Sequence, residues 1–95
     1  MNLRKAAEGQ SCIRCGASDG TVVGAHYTGI RRGAYGGGLG KKTHDICLAH
    51  LCFKCHTDMD TLTRDKRFKT EHSEAFQHLI LLSLIRLYDQ GLLKT

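Results

Sequence analysis

Leu51-Cys52-Phe53-Lys54-Cys55-His56-Thr57-Asp58-Met59-Asp60 packs two kinds of metal ligand into one short stretch. Cys52 and Cys55 have the two-residue spacing at which both thiolates of one tight turn reach the same zinc ion. A helix starting near Phe53 puts residues i and i+4 on one face, so His56 and Asp60 point the same way. The turn thus closes a structural metal site, while the helix leaving it presents a nitrogen and an oxygen ligand to something else. The matching half upstream is Cys12-Ile13-Arg14-Cys15-Gly16, separated from the second pair by 36 residues. Two such pairs point to a four-cysteine zinc site. The bland alternative, reduced cysteines packed as small hydrophobes, suits one cysteine better than four in matched pairs.

Between the pairs, Thr21-Val22-Val23-Gly24-Ala25-His26-Tyr27 is β-branched and reads as a strand ending near a histidine. A lone histidine is more often structural than catalytic, but a strand end before a loop is where functional side chains gather. The loop itself, residues 29–40 (GIRRGAYGGGLG), holds six of the 11 glycines. Such a stretch supports neither a helix interior nor a stable strand. It reads either as a floppy connection or as backbone that approaches phosphates, with Arg31, Arg32, Lys41 and Lys42 as nucleic-acid contacts. Gly40-Lys41-Lys42-Thr43 resembles the end of a phosphate-binding P-loop, but Tyr35 stands where its first glycine belongs, which excludes nucleoside triphosphate binding of that type. His44 to Leu48 is expected to form a second strand pairing back on the first. Asn2 to Glu8 favours a short helix stopped by Gly9. From residue 71 to 90 the apolar residues Phe76, Leu79, Ile80, Leu84, Leu87 and Tyr88 recur at helical spacing, with Gly91 as the stop. This long amphipathic helix covers the small core, and its surplus apolar stripe offers a homodimer contact.

At 95 residues the chain is expected to be a single small α+β domain, with a core over 12–63 and a C-terminal helix over 71–90. Domains of this size bury a modest share of their surface and often need a metal staple. No apolar run approaches the roughly 20 residues that span a bilayer, and Met1-Asn2-Leu3-Arg4-Lys5 lacks the apolar core of a signal peptide. A cytoplasmic setting follows as the expectation, and it favours zinc over disulfides; five cysteines also divide naturally into four ligands plus Cys47. The formal charge of +5 falls to about +3 once four thiolates bind one Zn²⁺. The surplus sits at Arg31-Arg32, Lys41-Lys42 and residues 64–69. Such clusters are often only solvated faces, but beside a metal site they suit a polyanion.

A CxxC, a strand ending in histidine, a glycine-rich loop, a second strand and then L-C-x-x-C-H opening a helix resemble the HNH endonucleases, the His-Me finger or ββα-metal superfamily. The resemblance covers Cys12 to Asp60, about half the chain. It is closer still to the small phage and prophage nucleases of the YbcO type, through Leu3-Arg4-Lys5-Ala6-Ala7, Ala25-His26, Asp45 and Cys52-x-x-Cys55-His56-x-x-x-Asp60. The resemblance implies a zinc-stapled ββα-metal core that hydrolyses DNA. It assigns His26 as the general base acting on water, and His56 as a ligand of a catalytic Mg²⁺ or Mn²⁺. Asp60 falls where many members carry a last histidine, and a carboxylate there suits a hard ion. Cys12, Cys15, Cys52 and Cys55 match structural zinc knuckles. Two positions depart from the pattern. Ala25 replaces a metal-ligating Asp or His, and Cys47 replaces an asparagine that helps orient the base; Asp45, His44 and His50 are the candidates to take over that orienting role.

Three readings follow: a metal-dependent DNA endonuclease, a zinc-stapled nucleic-acid-binding module without catalysis, and a zinc-stabilised adaptor using the C-terminal helix. Loss of cleavage with retained binding on His26→Ala separates the first from the second. Salt-dependent DNA binding excludes the third.

Overall fold

The computed structural model describes residues 2–93; the extreme ends of the expected 1–95 domain lie outside them. Its elements run α1 (Leu3–Ala7), β1 (Val23–His26), a 3₁₀ turn (Arg32–Tyr35), β2 (Leu48–Leu51), α2 (Phe53–Leu62) and α3 (Lys69–Asp89). Two antiparallel strands and three α-helices make a small α+β fold. Among the described residues no helix is long and apolar enough to cross a membrane.

A five-residue helix is too short to persist by propensity alone. α1 is held by the Asn2 side chain, which accepts the Lys5 N–H at 3.1 Å, and by Ala7, fully buried where α1 packs on the sheet. The strands pair Val23 with Leu51, Gly24 with His50, Ala25 with Ala49 and His26 with Leu48. Gly24 makes room for Leu48: a Cβ there would meet Leu48 Cδ1 at 2.9 Å and oblige that side chain to shift.

The second strand lies later than expected. Residues 44–47 form a turn instead, because His44 supplies both its acceptors: its carbonyl takes the Cys47 N–H at 2.9 Å and its Nδ1 the Ile46 N–H at 3.1 Å. The strand is then built from Leu48-Ala49-His50-Leu51, all four buried, so it carries no alternation of apolar and polar residues. The first strand is also shorter than the expected span, covering Val23–His26.

The floppy reading of residues 29–40 is corrected as well. Tyr27 is buried edge-on against Phe76 and Tyr35, both ring pairs at 5.5 Å. The Tyr27 hydroxyl accepts the Arg31 N–H at 3.1 Å, Ser73 Oγ accepts the Ile30 N–H at 2.9 Å, and Gln77 donates to the Tyr35 hydroxyl at 3.0 Å. Two tyrosines and α3 therefore pin the glycine-rich segment into a 3₁₀ turn.

α3 begins at Lys69 rather than residue 71 and covers β2, with Phe76, Leu79 and Leu87 buried. Leu81, Ile85, Tyr88 and Leu92 stay exposed, so the stripe expected to offer a dimer contact is uncovered within the chain. His50 is the polar exception in the core. It is 1% exposed, and its Nδ1 lies 3.2 Å from Arg86 Nη1, which also donates to the Ser11 carbonyl at 2.7 Å. Arginine only donates, so His50 Nδ1 is the acceptor and the ring is neutral. Burial first, and the Arg86 charge second, lower the His50 pKa to about 4. Folding thus favours the unprotonated ring, while the unfolded chain takes up a proton as the pH falls below about 6.5. Stability contributed by neutral His50 is expected to be lost as pH falls from about 6.5 to about 4, by an amount of order 3 kcal/mol. Urea titrations across that range should show a shallower pH dependence for His50→Asn than for the wild type; parallel curves would contradict this account.

Candidate metal centre and adjoining cleft

The first knuckle is shaped by backbone hydrogen bonds. Cys12 N–H donates to the Ala17 carbonyl at 2.8 Å and Gly16 N–H to the Cys12 carbonyl at 2.9 Å, with Gly16 at φ +82°. Ile13 N–H then donates to the His50 carbonyl at 2.8 Å, which ties this knuckle to β2. The second knuckle is the β2–α2 junction, where Cys52 precedes the first helical residue. Thr21 Oγ1 caps the helix by accepting the Phe53 N–H at 2.9 Å. The two turns bring the ligand atoms of Cys12, Cys15, Cys52 and Cys55 within 4.8 Å of one another, and Cys15 Sγ lies 3.8 Å from Cys52 Sγ. A tetrahedron of sulfurs about 2.3 Å from zinc has edges of about 3.8 Å, so the cluster fits such an ion.

Its electrostatics suit a cation. Burial opposes ionisation of Cys12, yet backbone hydrogen bonds at Cys52, Cys15 and Arg14 outweigh it and lower the thiol to about 6. Burial and the three neighbouring sulfurs push Cys55 up to about 12, against the opposing pull of Arg14. Four thiolates cannot share this space unless a positive ion binds them. Arg14 adds charge from outside, its Nη1 lying 3.3 Å from Asp58 Oδ2. All five cysteines are free of disulfides; Cys47 stands apart from the cluster and lines a groove with Tyr35, Ile46 and Leu81.

The same α2 helix supplies the second feature. A cleft of about 360 Å³ is lined by Arg4, His26, Thr28, Lys42, His56 and Asp60, with Glu8 and the β1 backbone completing it. His26 enters from the end of β1 with its side chain 13% exposed, and its Nε2 lies 2.8 Å from Asp45 Oδ1. Asp45 Oδ2 lies 3.5 Å from Arg4 Nε. From α2, His56 Nε2 and Asp60 Oδ2 line the same cleft 3.3 Å apart, one helical turn from each other. Thr28 donates to Asp60 Oδ1 at 3.1 Å and lies 2.9 Å from the Thr63 hydroxyl. Partial burial raises the Asp60 carboxyl, but the hydrogen bond and charge of His56, with Thr28 and Arg64, win and hold it below the usual range. Adjacent ligands of an octahedral ion at about 2.1 Å lie about 3.0 Å apart, so His56 and Asp60 suit two neighbouring positions around a hard cation.

Of the residues singled out in the sequence, the cleft unites His26, His56, Asp60 and Lys42. Arg31, Arg32 and Lys41 do not line it; they stand exposed on the glycine-rich segment. Ala25 is fully buried in the core and does not line the cleft. Arg4 and Thr28 are additional. Thr28 was within reach of sequence reasoning, since two residues past His26 the strand period returns to the same face. Arg4 was not, because its place depends on where α1 docks. No protein-family model, curated protein or solved structure matches the chain.

Proposed function

We propose that the protein is a metal-dependent endonuclease of the HNH type that hydrolyses DNA phosphodiester bonds, phage- or prophage-derived and working in the cytoplasm. One observation carries this reading: His26, hydrogen-bonded to a carboxylate, shares a cleft with the His56–Asp60 pair and with the cations Arg4 and Lys42. Neutral His26 takes a proton from a water whose oxygen forms a bond to phosphorus. The bond from phosphorus to the leaving sugar oxygen then breaks, and that oxygen is protonated from solvent. Mg²⁺ or Mn²⁺ held by His56 and Asp60, when bound, supplies positive charge to the phosphate and leaving oxygen. Arg4 and Lys42 hold phosphate oxygens in the cleft, and Arg31, Arg32 and Lys41 give further backbone contacts, so affinity falls as salt rises. The four cysteines hold structural zinc, and a reducing compartment suits their free state.

The buried Ala25 favours a second reading, a zinc-stapled binding module without catalysis, because it leaves the cleft two protein ligands, His56 and Asp60. Nicking of supercoiled plasmid separates the two. Cleavage is expected with Mg²⁺ or Mn²⁺ and is lost in EDTA and in His56→Ala, with circular dichroism confirming a folded, zinc-loaded protein in each buffer. A folded protein that binds plasmid, single-stranded and branched DNA but cleaves none of them establishes the binding module instead.

A further inference from the structure

We propose that Asp45, braced by Arg4, is the positioning residue of His26: it accepts the Nε2–H, locks that tautomer and leaves Nδ1 as the nitrogen that takes the proton from water. The role rests on the nuclease reading above, whereas the coupling between the two side chains stands on the geometry alone. Asp45 Oδ1 is 2.8 Å from His26 Nε2, and its other oxygen is 3.5 Å from Arg4 Nε. The hydrogen bond with His26 outweighs desolvation and, with lesser help from the charges of Arg4, His26 and His44, holds the Asp45 carboxyl below its ordinary range. Asp45 is therefore ionised at neutral pH and can only accept. A neutral imidazole facing it must place its single N–H on Nε2, and the lone pair is left on Nδ1.

The other two candidates for this orienting role are engaged elsewhere. His44 Nδ1 is taken by the Ile46 N–H at 3.1 Å, inside the turn that carries Asp45. His50 is buried and its Nδ1 is engaged by Arg86 at 3.2 Å. Cys47, at the position where a side-chain amide was expected from the resemblance, lines a different groove. The 44–47 turn, which displaced the second strand, is what brings a carboxylate opposite the end of β1. Arg4 completes the arrangement from α1 and compensates the carboxylate charge beside a site meant for phosphate.

The ring state can be read without DNA or a second metal. In ¹⁵N-labelled, zinc-loaded protein near pH 7.5, long-range ¹H–¹⁵N spectra should show His26 with a protonated Nε2 and an unprotonated Nδ1. Asp45→Asn, whose amide can donate as well as accept, should move the ring toward the Nδ1–H form; Asp45→Glu should restore part of the wild-type state. In plasmid nicking, Asp45→Asn should lower kcat by about 10–100-fold with KM for DNA little changed. Asp45 is half-exposed, so these variants are expected to fold. A wild-type ring protonated on Nδ1, an unaltered tautomer in Asp45→Asn, or an unaltered nicking rate in that variant would overturn the proposal. The expected ring states in a protein that never cleaves DNA would defeat the nuclease reading and leave the Asp45–His26 coupling standing.

Discussion

Cys52→Ser is expected to leave the protein unfolded. Cys52 is the residue at which both structural requirements meet: it joins β2 to α2 as the helix N-cap and contributes one of the four clustered sulfurs. Structural zinc contributes roughly 10–16 kcal/mol of apparent binding free energy in small zinc domains. A domain of this size has a total stability of roughly 5–15 kcal/mol, so zinc bound at the cluster would match the stability of the whole fold. The physical reason is visible in the cluster. Without a cation, burial and mutual repulsion oppose ionising all four thiols, and the two knuckles are left joined by weaker ties such as the Ile13 N–H to His50 carbonyl hydrogen bond and the Arg14–Asp58 contact. Far-UV circular dichroism and metal analysis of purified Cys52→Ser, and of wild type after exhaustive chelation, check this. Cooperative thermal unfolding of a zinc-free protein at the wild-type temperature would show that the apolar core suffices.

His26→Ala is expected to reduce DNA nicking by about 10²–10⁴-fold, the range spanned by removal of a positioned general base. Its effect on folding should be small. His26 is the last residue of β1, its side chain contacts an exposed carboxylate, and the buried neighbours Ala25 and Tyr27 are unchanged. DNA affinity should hold, because Arg4 and Lys42 remain in the cleft. The pairing of lost cleavage with kept binding and kept thermal stability is the signature to look for. Equal nicking by wild type and His26→Ala would remove the histidine from the chemistry.

Short-range patterns in the chain carried a good deal of this outcome. The CxxC pairs are local turns, with spacing that dictates two ligands per turn, and they come together as a four-cysteine cluster. The i, i+4 relation of His56 and Asp60 is helix geometry, and α2 begins at Phe53 as the pattern requires. The apolar period of the C-terminal segment likewise needed no tertiary information to mark α3, apart from an additional N-terminal stretch starting at Lys69. Where local preferences competed with packing, the sequence was silent or misleading. Residues 44–48 have a strand-like composition, but the His44 side chain offered the backbone a turn, and β2 formed from the next four residues instead. Glycine content suggested slack in residues 29–40, whereas Tyr27 and Tyr35, packed edge-on, hold that segment to α3.

Residue types and spacing by themselves determined the two cysteine turns, the helices and the histidine at the strand end, because each depends on neighbours a few positions away. Only the tertiary structure decided which groups face one another: Arg4 from α1, His26 from β1 and His56 from α2 meet in one cleft although they span more than half the chain, with Asp45 from a turn contacting the first two. Their meeting depends on strand register and helix docking, which are set by the burial of Tyr27, Phe76 and Leu51 in a shared core and leave no periodic trace in the sequence.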